Sequence, residues 1–193
     1  MEVKGTGVAV LPEYIRRKHG EAAFARWLGS LPEASRAIFR KTIRLSDWFP
    51  AEEAYLAPTE AACRMFFSDQ TAGARELGRF SADFALGGVY RMFLRLPSVK
   101  FFIERAAHML STYLRPCASR VAEVGDGRAV VRITGLPGIT ALTEQRIAGW
   151  IQRALEIHGC RRVEVEVARS LAGGDDLTEF LLAWAAGESG QKR

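Results

Sequence analysis

The sequence predicts an α+β fold: a helical N-terminal part over about 1–116, then an α+β C-terminal part over about 120–186 of the same compact unit, with an antiparallel sheet covered by a long helix. Three observations predict it. Residues 128–134, 162–169 and 177–184 alternate apolar and polar side chains, the period of strands with one buried face. Between the first two, residues 140–158 place Leu142, Ile147, Trp150, Ile151, Ala154 and Leu155 at the spacing of an amphipathic helix. Upstream of residue 116, apolar side chains recur at helical spacing between proline and glycine breaks.

Residues 3–20 open on a glycine-punctuated apolar stretch and run through Tyr14, Ile15 and Arg16-Arg17-Lys18 to His19-Gly20, where the chain resets. Ala23, Phe24, Trp27, Leu28 and Leu31 predict a helix over 21–31 that Pro32 closes, and a shorter helix over 33–43 turns Ala37, Ile38 and Ile43 inward. Trp48-Phe49-Pro50 predicts a turn pinned into the core, before a helix over 51–67 that Pro58 kinks or splits. Residues 71–96 carry a helical pattern, with Leu77, Phe80, Phe84, Val89, Phe93 and Leu94 interrupted by Gly73, Gly78, Gly87 and Gly88. So many glycines require either close backbone approach or a break, placed here at 87–88. Pro97-Ser98 starts a helix over 99–113, and Pro116 ends it.

In the C-terminal part, Gly135-Leu136-Pro137-Gly138 stops the first strand, Thr140 is placed to cap the long helix, and Gly159 to end it. Glu144 lies in its first turn, favourable to the helix dipole. The turn Ala172-Gly173-Gly174-Asp175-Asp176 joins the last two strands, and Glu164 and Glu166 are placed to meet Arg128 and Arg132 if those strands pair. Residues 187–193 are expected to form a mobile tail.

With 48% hydrophobic residues, 193 residues suffice for a proper core. The sequence has no apolar run of membrane-spanning length, and its start lacks the design of a secretory signal; a cytoplasmic address is expected. Cys63, Cys117 and Cys160 are widely spaced and form neither a disulfide framework nor a zinc signature, so reduced thiols and no metal site are expected. The net charge of +5 lies in short basic clusters separated by acids, outside any nucleic-acid-reading motif, so no nucleic-acid partner is expected.

Several stretches resemble an uncharacterised bacterial family in the superfamily that joins heme-nitric-oxide-binding (H-NOX) domains to four-vinyl-reductase-type small-molecule-binding domains. They are Val3-Lys4-Gly5-Thr6 with Arg16 to Gly20, Trp48-Phe49-Pro50, Glu76 to Ala82, Gly149-Trp150 with Ala154-Leu155-Glu156 and Gly159, and Gly173 to Asp176 with Phe180 and Trp184. The resemblance spans nearly the whole chain. It implies an H-NOX/vinyl-reductase-like α+β fold and, in the heme-binding branch, a helix histidine on iron with a downstream Tyr-x-Ser-x-Arg motif on the propionates. His108 stands roughly at the histidine's position, but Val131 to Pro137 replaces the propionate motif. In the other branch, metal-binding cysteines stand in the last hairpin, where this chain has Ala168 and Thr178.

No nucleophile elbow, phosphate-cradling loop or catalytic constellation appears, so a non-enzymatic protein is expected. The expected site is an apolar pocket between helical part and sheet, with His108, Phe80, Phe84, Phe101, Phe102 and Tyr113 as ligand-binding candidates. The expected function is a sensory small-molecule-binding domain that signals as a homodimer or through a protein partner. The alternatives are a heme-based gas sensor with His108 axial, and a ligand-free interaction scaffold. His19 and His158, each just before a glycine, are expected to serve as helix C-terminal residues.

Overall fold

The structure, a computed structural model, describes residues 1–87 and 98–185. Val89, Tyr90, Met92, Phe93, Leu94, Gly88 of the expected break and the tail 187–193 lie outside the described residues. The helical part comprises α1 (Gly5–Val8), α2 (Val10–His19), α3 (Glu21–Ser30), α4 (Glu33–Phe39), a π-helical segment Glu52–Leu56 running into α5 (Ala57–Phe66), α6 (Gln70–Gly87) and α7 (Val99–Tyr113). Gly20, at φ +83°, makes the sharp joint between α2 and α3. The split expected at Pro58 is the change from π to α winding, with the proline in the first turn of α5. Helix α4 is shorter than expected: it buries Ser35 and Phe39, and Ala37 is exposed.

Strands β1 (Glu2–Lys4), β2 (Trp48–Pro50) and β3 (Leu114–Arg115) form a small antiparallel sheet in the order β2-β1-β3, with Val3 opposite Phe49 and Leu114. Pieces of two or three residues have no period to read, so the sequence pattern misses them. The larger sheet contains β4 (Ala118–Gly125), β5 (Arg128–Thr134), β6 (Arg161–Arg169) and β7 (Thr178–Ala185) in the antiparallel order β4-β5-β7-β6. Strand β4 was also unexpected. It is an edge strand with no fully buried side chain and a register shift between Val121 and Glu123, which removes the alternation. Because β7 separates β5 from β6, Arg128 and Arg132 do not meet Glu164 and Glu166; Arg132 instead pairs with Glu179 of β7 at 2.6 Å.

Helix α8 (Ala141–His158) begins at Thr140, whose side chain accepts from the Thr143 N–H at 3.3 Å, and ends at Gly159 with φ +110°. It packs on the sheet and, on another side, against α6. A Cβ at Gly78 would stand 1.9 Å from the Arg146 carbonyl oxygen, and one at Gly149 would stand 2.1 Å from that of Arg75. Gly78 therefore serves close backbone approach. Polar pairs fasten the same seam: Arg79 donates to both Glu156 oxygens at 2.8 Å, Arg153 to Asp83 at 2.8 Å, and Arg75 to Gln145 at 2.8 Å.

Glu144 does more than favour the helix dipole. It is 1% exposed, and its carboxylate accepts from the Ser170 and Thr178 hydroxyls and the Ala172 N–H, pinning the β6–β7 hairpin to the start of α8. One buried apolar cluster runs through both parts of the chain, from Ile15, Trp27 and Leu77 to Ile133, Leu155 and Phe180.

Candidate functional site

A cavity of about 550 Å³ lies between α7, α8, α6, β5 and the small sheet. Helix α7 supplies much of its wall. At about 100° per residue, Phe102, Ala106, Leu110 and Tyr113 fall on one face, and all four line the cavity. Ser98 fixes the start of that helix by accepting from the Phe101 N–H at 3.2 Å. Across from α7, Ile147, Trp150 and Ile151 of α8 and the inward Val131 and Ile133 of β5 complete an apolar lining.

Three of the expected site residues, Phe84, Phe102 and Tyr113, line the cavity. Phe80 sits behind it in a ring cluster, edge-on to Tyr14 at 5.1 Å. Phe101 is 49% exposed, and His108 is exposed on the outer side of α7, about 160° round the helix from Ala106. The structure therefore brings the phenylalanine and tyrosine candidates of one helix face together, and leaves His108 and Phe101 out. His19 stacks on Phe66 at 4.3 Å and His158 lies against Phe102 at 4.6 Å; neither lines the cavity.

The wall also carries charge that the sequence pattern did not indicate. Arg17 pairs with Glu13, and Asp83 pairs with Arg153. Arg146, only 2% exposed, has no ion-pair partner among the described residues. Its guanidinium lies 4.2 Å from the Tyr55 ring centre, Nη1 donates to Thr59 Oγ1 at 2.7 Å, Nη2 reaches Ser81 Oγ at 3.5 Å, and Nε has no partner. Gly149 and Ala148 were the available signal: small residues opposite the Ile147 stripe mean that α8 is covered on two sides, so that a polar residue between them is buried.

Burial displaces the three thiols and one phenol. Cys63 and Cys117 are each pushed up to about 11, and Cys160 is also raised. Burial, then the charge of Glu76, pushes Tyr14 up to about 12. These thiols are protonated near neutrality and hence poor nucleophiles. Among the described residues, no three His, Cys, Asp or Glu side chains gather closely enough to hold a metal ion, and no helix is long and apolar enough to cross a membrane.

The architecture of helices, small sheet and helix-covered antiparallel sheet is that of the H-NOX proteins. An H-NOX protein from S. oneidensis superposes with a TM-score of 0.72 at 12% identity, over 96% of this chain and 98% of that one. The Fe(II) unliganded H-NOX protein from K. algicida gives 0.70 at 8% identity, over 97% and 100%. A variant of Tt H-NOX gives 0.69 at 13%, over 98% and 99%. No protein-family model and no curated protein matches the sequence. The resemblance read from the sequence thus holds at the level of the fold: the chain is H-NOX-like.

The fold raises the question of heme, and the cavity wall answers it in two parts. The apolar lining and Arg146 suit a hydrophobic body bearing an anionic group. The wall does not suit an imidazole-ligated iron, because none of the chain's three histidines lines it.

Proposed function

We propose that this chain is a non-enzymatic, cytoplasmic ligand-binding sensor domain whose site is the cavity behind α7, and which signals by contact with a second copy or another protein. Phe84, Phe102 and Tyr113 are the expected candidates that serve it, with Ile147 and Ile151 opposite. The observation that carries the reading is the apolar lining of a cavity of about 550 Å³, within the range that holds small organic ligands. A ligand-free scaffold has no use for such a space, since interiors otherwise pack to crystal-like density. The test is fluorescence of the neutral probe N-phenyl-1-naphthylamine. Wild type is expected to enhance its emission saturably, and Ala106→Trp, which fills the cavity from α7, to weaken binding at least tenfold. Equal binding by both would refute the site.

A second reading is favoured by one observation, that a fold neighbour is an H-NOX protein in the Fe(II)NO ligation state. A tetrapyrrole in this chain would need an iron ligand other than His108. Absorption spectra of protein produced with added heme decide it: a Soret band that survives His108→Ala supports this second reading, and a colourless protein removes it.

A further inference from the structure

We propose that the cavity recognises an amphipathic carboxylate, a single carboxyl group on a hydrocarbon body, with Arg146 as its counter-ion. The inference rests on the cavity being a ligand site and specifies the chemistry of what enters it. Among the described residues three charged side chains stand on the wall, and two are neutralised within the chain, Arg17 by Glu13 and Asp83 by Arg153. Arg146 is the exception among the described residues. Burial cannot discharge it, because a guanidinium does not lose its proton in proteins.

The groups around Arg146 do not supply the missing charge. Thr59 and Ser81 are neutral, and each gives its own hydroxyl proton to a main-chain carbonyl, Thr59 to Tyr55 at 2.6 Å and Ser81 to Leu77 at 2.8 Å. Each can therefore accept from Arg146, and does, but neither balances its charge. The Tyr55 ring offers a partial compensation through its negative face. Of the acids nearby, Glu156 pairs with Arg79 and Arg153 and Asp83 with Arg153, and neither Glu60 of α5 nor Glu76 of α6 makes an ion pair with Arg146.

Of the five guanidinium N–H groups, two point at hydroxyls, and Nε, buried, has no acceptor. Thr6 Oγ1, another atom of the wall residues, is likewise buried without a partner. One buried cation calls for one negative charge, and a carboxylate supplies a single charge in a geometry that the planar fork of arginine matches. Most of the remaining wall, with Ile147, Ile151, Phe102 and Leu110, is hydrocarbon, so a carboxylate attached to an apolar body fits it.

The experiment is a calorimetric titration of the full chain with dodecanoate and, separately, dodecanol, below their aggregation limits. Wild type is expected to prefer dodecanoate at least tenfold. Arg146→Gln should abolish that preference, and Arg146→Lys should restore part of it. The wild-type comparison tests the inference even if the variants fail to fold. Equal affinity of wild type for the two probes overturns the carboxylate inference and leaves the ligand site standing. Failure of both probes and of N-phenyl-1-naphthylamine overturns the inference and the site together. Hemin in the same titration separates the sources of the carboxylate: tighter binding of hemin than of dodecanoate, unchanged in Arg146→Gln, also overturns the inference.

Discussion

His108 was legible from the helix period alone. Phe102, Ala106, Leu110 and Tyr113 share a face, and a residue two positions beyond Ala106 lies on the opposite side with Phe101 and Glu104. The family resemblance drew attention to its place in the chain, and the phase of the helix decides where it points. His108→Ala is therefore expected to change stability by less than about 0.5 kcal/mol in urea unfolding, as other exposed substitutions do, and to leave probe binding unchanged. Glu144→Ala should behave in the opposite way, because it removes the acceptor of the buried Thr178 hydroxyl and unties the half-buried Ser170 hydroxyl and the Ala172 N–H from α8; a loss of about 1–3 kcal/mol is expected in the same assay. The role of Glu144 could not be read from spacing, since it depends on which segment, distant in sequence, closes over the start of α8, whereas Ala148 and Gly149 did signal that Arg146 lies under cover. Cys63 gives a pH prediction with a definite sign. Folding holds its thiol proton to about pH 11, whereas the unfolded chain releases it from about pH 8.5, so stability is intact below the lower value and falls as pH rises toward the higher. Urea unfolding at pH 8 and pH 10.5 should differ by about 2 kcal/mol more in wild type than in Cys63→Ser.

At the scale of elements, the sequence pattern located α7, α8 and three of the four strands of the larger sheet, and lost β4 and the short strands. Helices α7 and α8 and strand β5 carry whole periods of their hydrophobic pattern, and Ser98 and Thr140 mark the starts of the two helices and Gly159 the end of α8, which the pattern leaves vague. Strands β1, β2 and β3 are held by what lies beside them, and no local pattern encodes that. Strand order is equally non-local: placing β7 between β5 and β6 gave Arg132 to Glu179 rather than to the β6 acids. The α6–α8 seam is the element-level feature with the sharpest consequence. Alanine is ordinarily favoured over glycine inside a helix by about 1 kcal/mol. At Gly78 the added carbon would meet the Arg146 main chain, which neither helix can yield without separating. Gly78→Ala is expected to cost about 1–3 kcal/mol net in urea unfolding and to weaken probe binding, because any separation shifts the guanidinium and the cavity wall with it.

For the whole molecule, the position of the cavity matters more than its size. Its wall draws on α1, α2 and α6 of the helical part, on α7, which joins the two parts, and on β5 and α8 of the sheet-bearing part. An occupant therefore touches both parts at once, and it can exist as a bound species only when they are docked. Binding that selects the folded chain adds RT ln(1 + [L]/Kd), about 2.7 kcal/mol at a free concentration of 100 Kd. For a chain of this length, each kcal/mol raises the unfolding midpoint by roughly 2–4 °C. Saturating N-phenyl-1-naphthylamine should thus raise the thermal midpoint of wild type by about 5–10 °C and leave Ala106→Trp, with its cavity filled, nearly unmoved. Hydrogen exchange should then slow on α7, α8 and β5 together, not on α7 alone, because the opening that releases the ligand separates all three. Slowing restricted to α7 would mean that the probe sits on the outer surface, where Phe101 and His108 are exposed, and that the two parts are not coupled through the cavity.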